Sequence, residues 1–144
     1  MCFRIQAEQT PKLDEYYIPD IDLNRLVLSE YPNIHSLFLW DSYYYYVSHE
    51  DWGKVIRDCM MNLPNYQAEK FDCENFALRF NSKVSERYRL NTMGVAIGAS
   101  PMGYHGYNVF ISENMTLSIL ESQTGVVYST DEDSGYIPEI IIFG

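Results

Sequence analysis

A cysteine at the start of a predicted helix is the residue of this sequence best placed for covalent chemistry. Asp72 is a good helix N-cap, Cys73 follows it directly, and the apolar residues then recur every four positions, at Phe76, Phe80, Val84 and Tyr88. Unpaired backbone N–H groups and the helix dipole favour a thiolate at such a position, and the thiolate is the nucleophilic form. The pattern therefore predicts a lowered pKa and nucleophilic character at Cys73.

A histidine and a glutamate on two neighbouring predicted strands are the candidate partners of that cysteine. If Ile111 pairs with Met115 across a three-residue loop, three apolar pairs and one acid–imidazole pair share one face. His105 then faces Glu121, whereas a longer loop places His105 opposite Gln123. An acid that accepts from one ring nitrogen leaves the other nitrogen free to take the cysteine proton.

The elements that must position these residues follow from periodicity, caps and turn residues. Ser48 caps a helix with an apolar stripe that Pro64 ends, and Asp72 opens a helix that runs to about Arg89. A third helix is predicted over 20–30, and 38–47 is ambiguous between strand and helix. Strands are predicted at 93–99, 105–111, 117–123, 125–129 and 136–143. We therefore expect one α+β domain over 1–144, with an extended arm at 1–20 and N-terminal helices packed on a C-terminal antiparallel sheet.

Composition limits the classes of partner. The 144 residues are 47% hydrophobic and carry a formal net charge of −10, with no basic stripe, which argues against nucleic acid and anionic membranes. The three cysteines have no disulfide or zinc spacing, and we find no signal peptide or membrane-spanning run. The default expectation is a cytoplasmic protein with reduced thiols and no membrane partner. The oligomeric state stays open.

Three segments also resemble a known family. Residues 71–77, 105–111 and 119–125 resemble the small microbial, phage and fungal family related to the C-terminal domain of the Marasmius oreades agglutinin. That domain is a papain-like cysteine peptidase, so the resemblance implies a papain-like fold. It also implies Cys73 as nucleophile, His105 as base and then acid, and Glu121 as the residue that orients the imidazole.

The resemblance implies further site residues. Papain-like peptidases place a glutamine before the cysteine to help stabilise the oxyanion, and Gln67 is the candidate. Gln123 is an orienting candidate on other grounds, because the longer-loop register places it opposite His105. The sequence itself requires no cofactor. Calcium is implied by the family, and the acidic triplet that could supply oxygen ligands is Asp131, Glu132 and Asp133.

The predicted function is a cysteine hydrolase that cleaves a peptide or isopeptide amide through a thioester. Its partner would be a peptide or protein substrate. One alternative is a transglutaminase-like acyltransferase or peptidoglycan amidase that uses the same three residues. A second alternative is a catalytically silent phage or host-interaction module that retains the fold.

Overall fold

The computed structural model describes residues 12–144, apart from the side chain of Glu132. In chain order the elements are β1 Glu15–Pro19, α1 Asp20–Glu30, β2 Ser36–Leu39, β3 Tyr43–Val47, α2 His49–Cys59, α3 Cys73–Tyr88, β4 Gly94–Ser100, β5 Gly103–Ser112, β6 Thr116–Glu121, β7 Val126–Ser129 and β8 Ile137–Phe143, with a 3-10 turn at Glu132–Ser134 before β8. Residues 1–11 of the predicted arm, together with Cys2, lie outside the described residues. A single domain over 1–144 therefore stays a prediction.

Two sheets organise these strands. The larger has six strands in the order β2-β8-β4-β5-β6-β7, and the smaller pairs β1 with β3. All neighbours in the larger sheet are antiparallel except β2 and β8, which run parallel. The predicted layout of helices on a purely antiparallel C-terminal sheet is thus wrong in two respects. First, the N-terminal half of the chain contributes three strands as well as helices. Second, one of these strands, β2, joins the main sheet and runs parallel to the isoleucine-rich strand β8 at the edge of that sheet.

Local capping explains where α2 and α3 begin. The Ser48 hydroxyl accepts from the backbone N–H of Asp51 at 3.1 Å, which confirms the predicted start of α2. The side chain of Asn75 accepts from the backbone N–H of Asp72 at 3.2 Å, as part of a capping box at the start of α3. The helix predicted over 20–30 is also confirmed.

The tyrosine run shows a two-residue period. Tyr44 and Tyr46 are buried, whereas Tyr43 and Tyr45 are 52% and 39% exposed. This alternation is that of a strand with one face toward the core, so the ambiguous 38–47 segment resolves into β2 and β3.

The helix that carries Cys73 lies against the centre of the main sheet. It buries Phe76, Ala77, Phe80 and Val84, and it packs on β5 and β4. Asn108 on β5 joins helix and sheet, because its buried amide donates to the carbonyls of Ala77 and Gly94 at 2.9 and 3.0 Å. Among the described residues, none of the helices has the length and apolarity needed to cross a bilayer.

Candidate ligand-binding site around Cys73

A close approach between α3 and β5 positions the candidate site. A Cβ atom added to Gly106 would lie 2.9 Å from the Cα of Glu74 and 3.3 Å from the carbonyl carbon of Cys73. Only glycine permits this approach, since backbone atoms rather than a flexible side chain would be struck. Gly106 therefore allows the first turn of α3, which carries Cys73, to pack against β5. His105 is the residue before Gly106 on that strand.

His105 and Glu121 form a buried pair. Nε2 of His105 and Oε2 of Glu121 are 2.8 Å apart, and the two residues are 8% and 3% exposed. The Tyr136 hydroxyl donates to the same carboxylate oxygen at 3.2 Å, and the backbone N–H of Gln123 donates to Oε1 at 3.2 Å. Burial acts to raise the pKa of the Glu121 carboxyl, but these donors stabilise the carboxylate and bring its pKa below the usual value.

The strand register behind this pair differs from the first of the two predicted registers. Ile111 pairs with Leu117 and Val109 pairs with Ile119, so continuing the same offset places His105 level with Gln123. This is the longer-loop alternative. The His105–Glu121 contact survives because Glu121 is the diagonal neighbour on the same face, which a long side chain reaches.

The surroundings of the Cys73 thiol do not favour the thiolate that the sequence predicts. Its thiol donates to Oε2 of the adjacent Glu74 at 3.3 Å. Burial raises the pKa of the Cys73 thiol, the backbone N–H of Gly106 lowers it, and the Glu74 carboxylate raises it, with a net result above the ordinary value. The predicted lowered pKa is therefore wrong, because burial and a neighbouring carboxylate outweigh the helix N-terminus.

A groove of about 280 Å³ lies open at this point, lined by Cys73, Glu74, Ile97, Tyr104, His105 and Gly106. Among the described residues Nδ1 of His105 has no hydrogen-bond partner, while Nε2 faces Glu121. The arrangement offers a ligand a neutral thiol, an imidazole nitrogen and a carboxylate. It also offers the exposed ring of Tyr104.

The side chains of Gln67 and Gln123, the predicted oxyanion and orienting residues, do not line the groove at Cys73. Gln67 is exposed, forms a backbone bridge with Phe71, and is not part of the groove lining, so the structure does not bring it to Cys73. Gln123 reaches the site through its backbone N–H, which donates to Glu121.

The acidic triplet is the expected calcium site. Oδ1 of Asp131 accepts from the backbone N–H of Ser134 at 3.1 Å, and its other oxygen accepts from the Ser129 hydroxyl. Asp133 is exposed. Within residues 12–144 as described, no group of three or more acidic, histidine or cysteine side chains is placed to hold a metal ion.

Sequence reasoning missed three contributors to the site. Tyr136 comes from the loop before β8 and is fifteen positions from Glu121 in the chain, so no local pattern connects them. Gly106 could have been found as the glycine within a buried strand, which indicates close backbone approach. Glu74 was visible as the acid next to Cys73, and an adjacent carboxylate is a reason to expect a raised thiol pKa.

A substitution at Glu74 tests this description of the thiol. We expect Glu74→Gln to lower the pKa of Cys73 and to raise its rate of alkylation by iodoacetamide several-fold at pH 8, since the carboxylate no longer disfavours the thiolate. The measurement uses a Cys2→Ser background. Burial raises the pKa of Cys59 to about 11, so that thiol contributes little.

Glu86→Gln is the matched control, because Glu86 is an exposed acid on the same helix. Equal rates in both variants would contradict the assigned role of Glu74.

Comparison with known proteins defines the class. Residues 23–143 match the family model described as "Ricin-type beta-trefoil lectin C-terminal domain". The match covers most of the chain, and the chain belongs to this family. No curated protein matches the sequence.

Two solved structures have a similar fold. One is described as a complex of PSL1a with E64, with 21% identity and a TM-score of 0.72, covering 88% of this chain and 51% of that chain. The other is Polyporus squamosus lectin bound to the human-type influenza-binding epitope Neu5Acα2-6Galβ1-4GlcNAc, with 20% identity and a TM-score of 0.68, covering 88% of this chain and 49% of that chain. At these identities the likeness establishes a shared fold, and the chain spans about half the length of each.

These comparisons correct the predicted family, fold class and activity. The assignments to a papain-like peptidase family and to a papain-like fold are wrong, because the matched family is one of lectin domains and a solved lectin has the similar fold. The predicted cysteine hydrolase, with its transglutaminase-like and amidase alternatives, is wrong on the same finding. The expected peptide or protein substrate is wrong as well, because the matched family is one of lectin domains. The Polyporus lectin itself was solved with a glycan.

There is a physical reason why the pattern of Cys73, His105 and Glu121 led to the wrong prediction of a hydrolase. A cysteine at a helix start beside a histidine–acid pair is compatible with acyl-transfer chemistry but does not establish it. In this structure the hydrogen-bond partner of the Cys73 thiol is Glu74, and the pKa of the thiol is raised. The alternative of a non-enzymatic interaction module agrees better with the matched family.

Proposed function

We propose that this chain is a non-enzymatic, carbohydrate-binding module of the lectin type. The observation that carries the proposal is the match of residues 23–143 to a lectin domain family. The fold shared with a lectin solved in complex with a sialylated trisaccharide supports it. Since the chain spans about half of that lectin, the binding of a glycan by this half is part of the proposal.

The charge of the chain favours the neutral part of such a glycan. With 20 acidic and 10 basic residues, the surface repels the carboxylate of a sialic acid. A neutral disaccharide such as Galβ1-4GlcNAc carries hydroxyl donors without that charge. Carboxylates accept hydrogen bonds only, so an acidic surface is suited to hydroxyl-rich neutral ligands.

Calorimetric titration of the purified chain tests the proposal. We expect Galβ1-4GlcNAc to bind at least as tightly as Neu5Acα2-6Galβ1-4GlcNAc at low salt, and the difference to shrink as salt screens the acidic surface. We also propose that no metal is required, so the affinity is expected to be the same in EDTA and in calcium. Maltose serves as the control sugar and should not bind. Failure of both Galβ1-4GlcNAc and Neu5Acα2-6Galβ1-4GlcNAc to bind would refute the proposed carbohydrate-binding role.

We further propose that Cys73, His105 and Glu121 act together in the groove as a ligand-contacting set, with Glu121 positioning the imidazole. The buried 2.8 Å pair supports the role of Glu121, and the presence of both Cys73 and His105 in the lining of the groove supports the roles of the other two. PSL1a has been solved with E64, and we propose that E64 enters the groove of this chain as well.

The alkylation assay described for Glu74 extends to this proposal. We expect saturating E64 to protect Cys73 from iodoacetamide, and His105→Ala to weaken that protection. Unchanged labelling of Cys73 at saturating E64 would contradict the assignment of the groove.

The cytoplasmic location is also a proposal. Cys59 and Cys73 are both free thiols in the described structure, which agrees with a reducing compartment. Alkylation of the protein at the moment of cell disruption, followed by mass spectrometry, would count the thiols that are free in the cell.

A further inference from the structure

The outer face of the small β1–β3 sheet carries three exposed aromatic rings. Tyr17, Tyr43 and Tyr45 are 63%, 52% and 39% exposed. The strand register places Tyr17 directly across from Tyr45, and Tyr43 is the next residue of β3 on the same side, opposite Pro19. We call Tyr17, Tyr43 and Tyr45 the tyrosine face.

The three rings form one continuous surface. The ring of Tyr17 packs edge-on against Tyr43 at a centroid distance of 5.8 Å and is tilted against Tyr45 at 6.2 Å. Rings that pack on one another at such distances hold each other in place, so a partner loses little side-chain entropy by binding to them. Exposed contiguous aromatic surface of this kind is typical of interaction sites.

The backbone of β3 beneath the rings is already hydrogen-bonded. The side chain of Asn91 accepts from the N–H of Tyr45 at 2.7 Å and donates to the carbonyl of Tyr43 at 3.0 Å, and the Thr92 hydroxyl donates to the carbonyl of Tyr45 at 2.8 Å. These contacts occupy the edge of β3 that points away from β1, so this edge does not accept a further strand. A partner at β3 therefore meets the rings and not the backbone.

Two acids lie at the Tyr43 end of this face. The Asp41 carboxylate and the Tyr43 carbonyl accept from the same side-chain amide, at 2.8 and 3.0 Å, and the N–H of Asp20 donates to the carbonyl of Ser42 at 3.0 Å. Burial raises the pKa of the nearby Tyr44, and the charges of Asp41 and Asp20 act in the same direction. Among the described residues, neither of these two carboxylates forms an ion pair.

The other end of β1 carries charges of both signs. Glu15 and Glu86 lie there along one shallow depression with Arg87 and Arg89. Because two acids and two bases offset one another, a cation is attracted more strongly to the Tyr43 end of the sheet.

We propose that the tyrosine face binds an arginine side chain carried by an extended segment of a partner protein. A guanidinium group stacks on aromatic faces and donates to carboxylates, so one arginine contacts a ring and the acids Asp20 and Asp41 together. A second copy of this chain is a poor partner, because each copy has a net charge of −10 and would bring the same acids face to face. The proposal goes beyond carbohydrate binding and does not depend on it.

Calorimetric titration of the full chain at low salt tests the proposal. The probes are a hexapeptide that alternates glycine and arginine and its lysine counterpart, and we expect the arginine peptide to bind more tightly. Tyr17→Thr and Tyr43→Thr should each weaken its binding by about two- to fivefold, the range for an exposed cation–π contact. Threonine retains the preference of these positions for a strand, and Tyr17→Phe, which keeps the ring, should bind as the wild type does.

Tyr66→Thr is the matched control, because Tyr66 is a 58% exposed tyrosine on the loop between α2 and α3. It should bind the arginine peptide with wild-type affinity. None of these substitutions changes the net charge, so wild-type affinity in both Tyr17→Thr and Tyr43→Thr would assign the binding to net charge alone and overturn the proposal. Failure of the wild type to bind the arginine peptide would overturn it as well.

The role of the acids has its own comparison. Asp20→Asn should weaken binding of the arginine peptide at low salt, whereas Glu86→Gln removes one negative charge at the other end of the sheet and should have less effect. Equal losses in the two variants would contradict the placement of the arginine at the Tyr43 end.

A choline headgroup is a second source of a cation that binds aromatic rings. A quaternary ammonium has no N–H to donate to Asp20 or Asp41, which favours arginine. We therefore expect no co-sedimentation of the protein with phosphatidylcholine vesicles. Binding to these vesicles that is lost in Tyr17→Thr would assign the tyrosine face to a membrane and overturn the proposal.

Discussion

Trp52→Ala should destabilise the protein by about 3–5 kcal/mol, the usual range for truncating a buried large aromatic residue. Trp52 is fully buried in α2, its indole N–H donates to the carbonyl of Ile111 at 2.7 Å, and its ring packs on Phe110 at a centroid distance of 5.2 Å. The side chain therefore fixes α2 to β5. Trp52→Phe should cost about 1–3 kcal/mol, because the Ile111 carbonyl then remains buried without that donor.

The chain has two tryptophans, which supplies a matched control. Trp40 is 72% exposed, so Trp40→Phe should stay within about 0.5 kcal/mol of the wild type. Guanidinium titrations followed by far-UV circular dichroism measure all three variants without depending on tryptophan fluorescence. A Trp52→Phe loss no larger than that of Trp40→Phe would contradict the role assigned to Trp52.

Glu121→Ala should cost about 2–4 kcal/mol at pH 7, since removing one member of a buried hydrogen-bonded pair leaves its partners unsatisfied. The partners are the imidazole of His105, the hydroxyl of Tyr136 and the backbone N–H of Gln123. The exposed Glu86→Ala is the control and should have little effect.

The pH dependence of this effect has a defined sign. The pKa of Glu121 lies below its ordinary value of 4.5 in the folded protein, so the unfolded chain binds the proton more readily. Its contribution to the free energy of unfolding is fully present above the unfolded value and is lost as the pH falls through the folded value. Urea titrations at pH 7 and pH 3 should therefore show a smaller difference between Glu121→Ala and the wild type at pH 3. A constant difference would indicate that Glu121 stabilises by packing alone.

The β5–β6 hairpin shows where sequence reasoning reached its limit. The expected loop is Ser112–Asn114, with Asn114 in the left-handed conformation. In the structure Ser112 pairs with Thr116, and Met115 takes the positive φ of 55°. This register pairs Ile111 with the buried Leu117 and leaves Met115, which is 43% exposed, in the turn. The two registers differ by two residues, so the same side chains stay on the same face and alternation alone could not distinguish them.

The contact between His105 and Glu121 was predictable from the sequence, whereas the chemical state of Cys73 was not. His105 and Glu121 were found because alternation along two strands places them on one face, and the structure brings them to 2.8 Å. The state of Cys73 was not found, since it depends on burial and on the side chain of Glu74. The catalytic interpretation then failed against the lectin family that the chain matches.

The sequence by itself determined the helices, the main strands and the face that carries the histidine and the acid. Caps, periodicity and alternation are local, acting over a few residues along the chain. Only the tertiary structure decided the parallel strand β2 beside β8, the arrival of Tyr136 at Glu121, and the raised pKa of Cys73. These features depend on groups distant in the chain and on burial, because solvation and Coulomb interactions are set by which atoms meet in space.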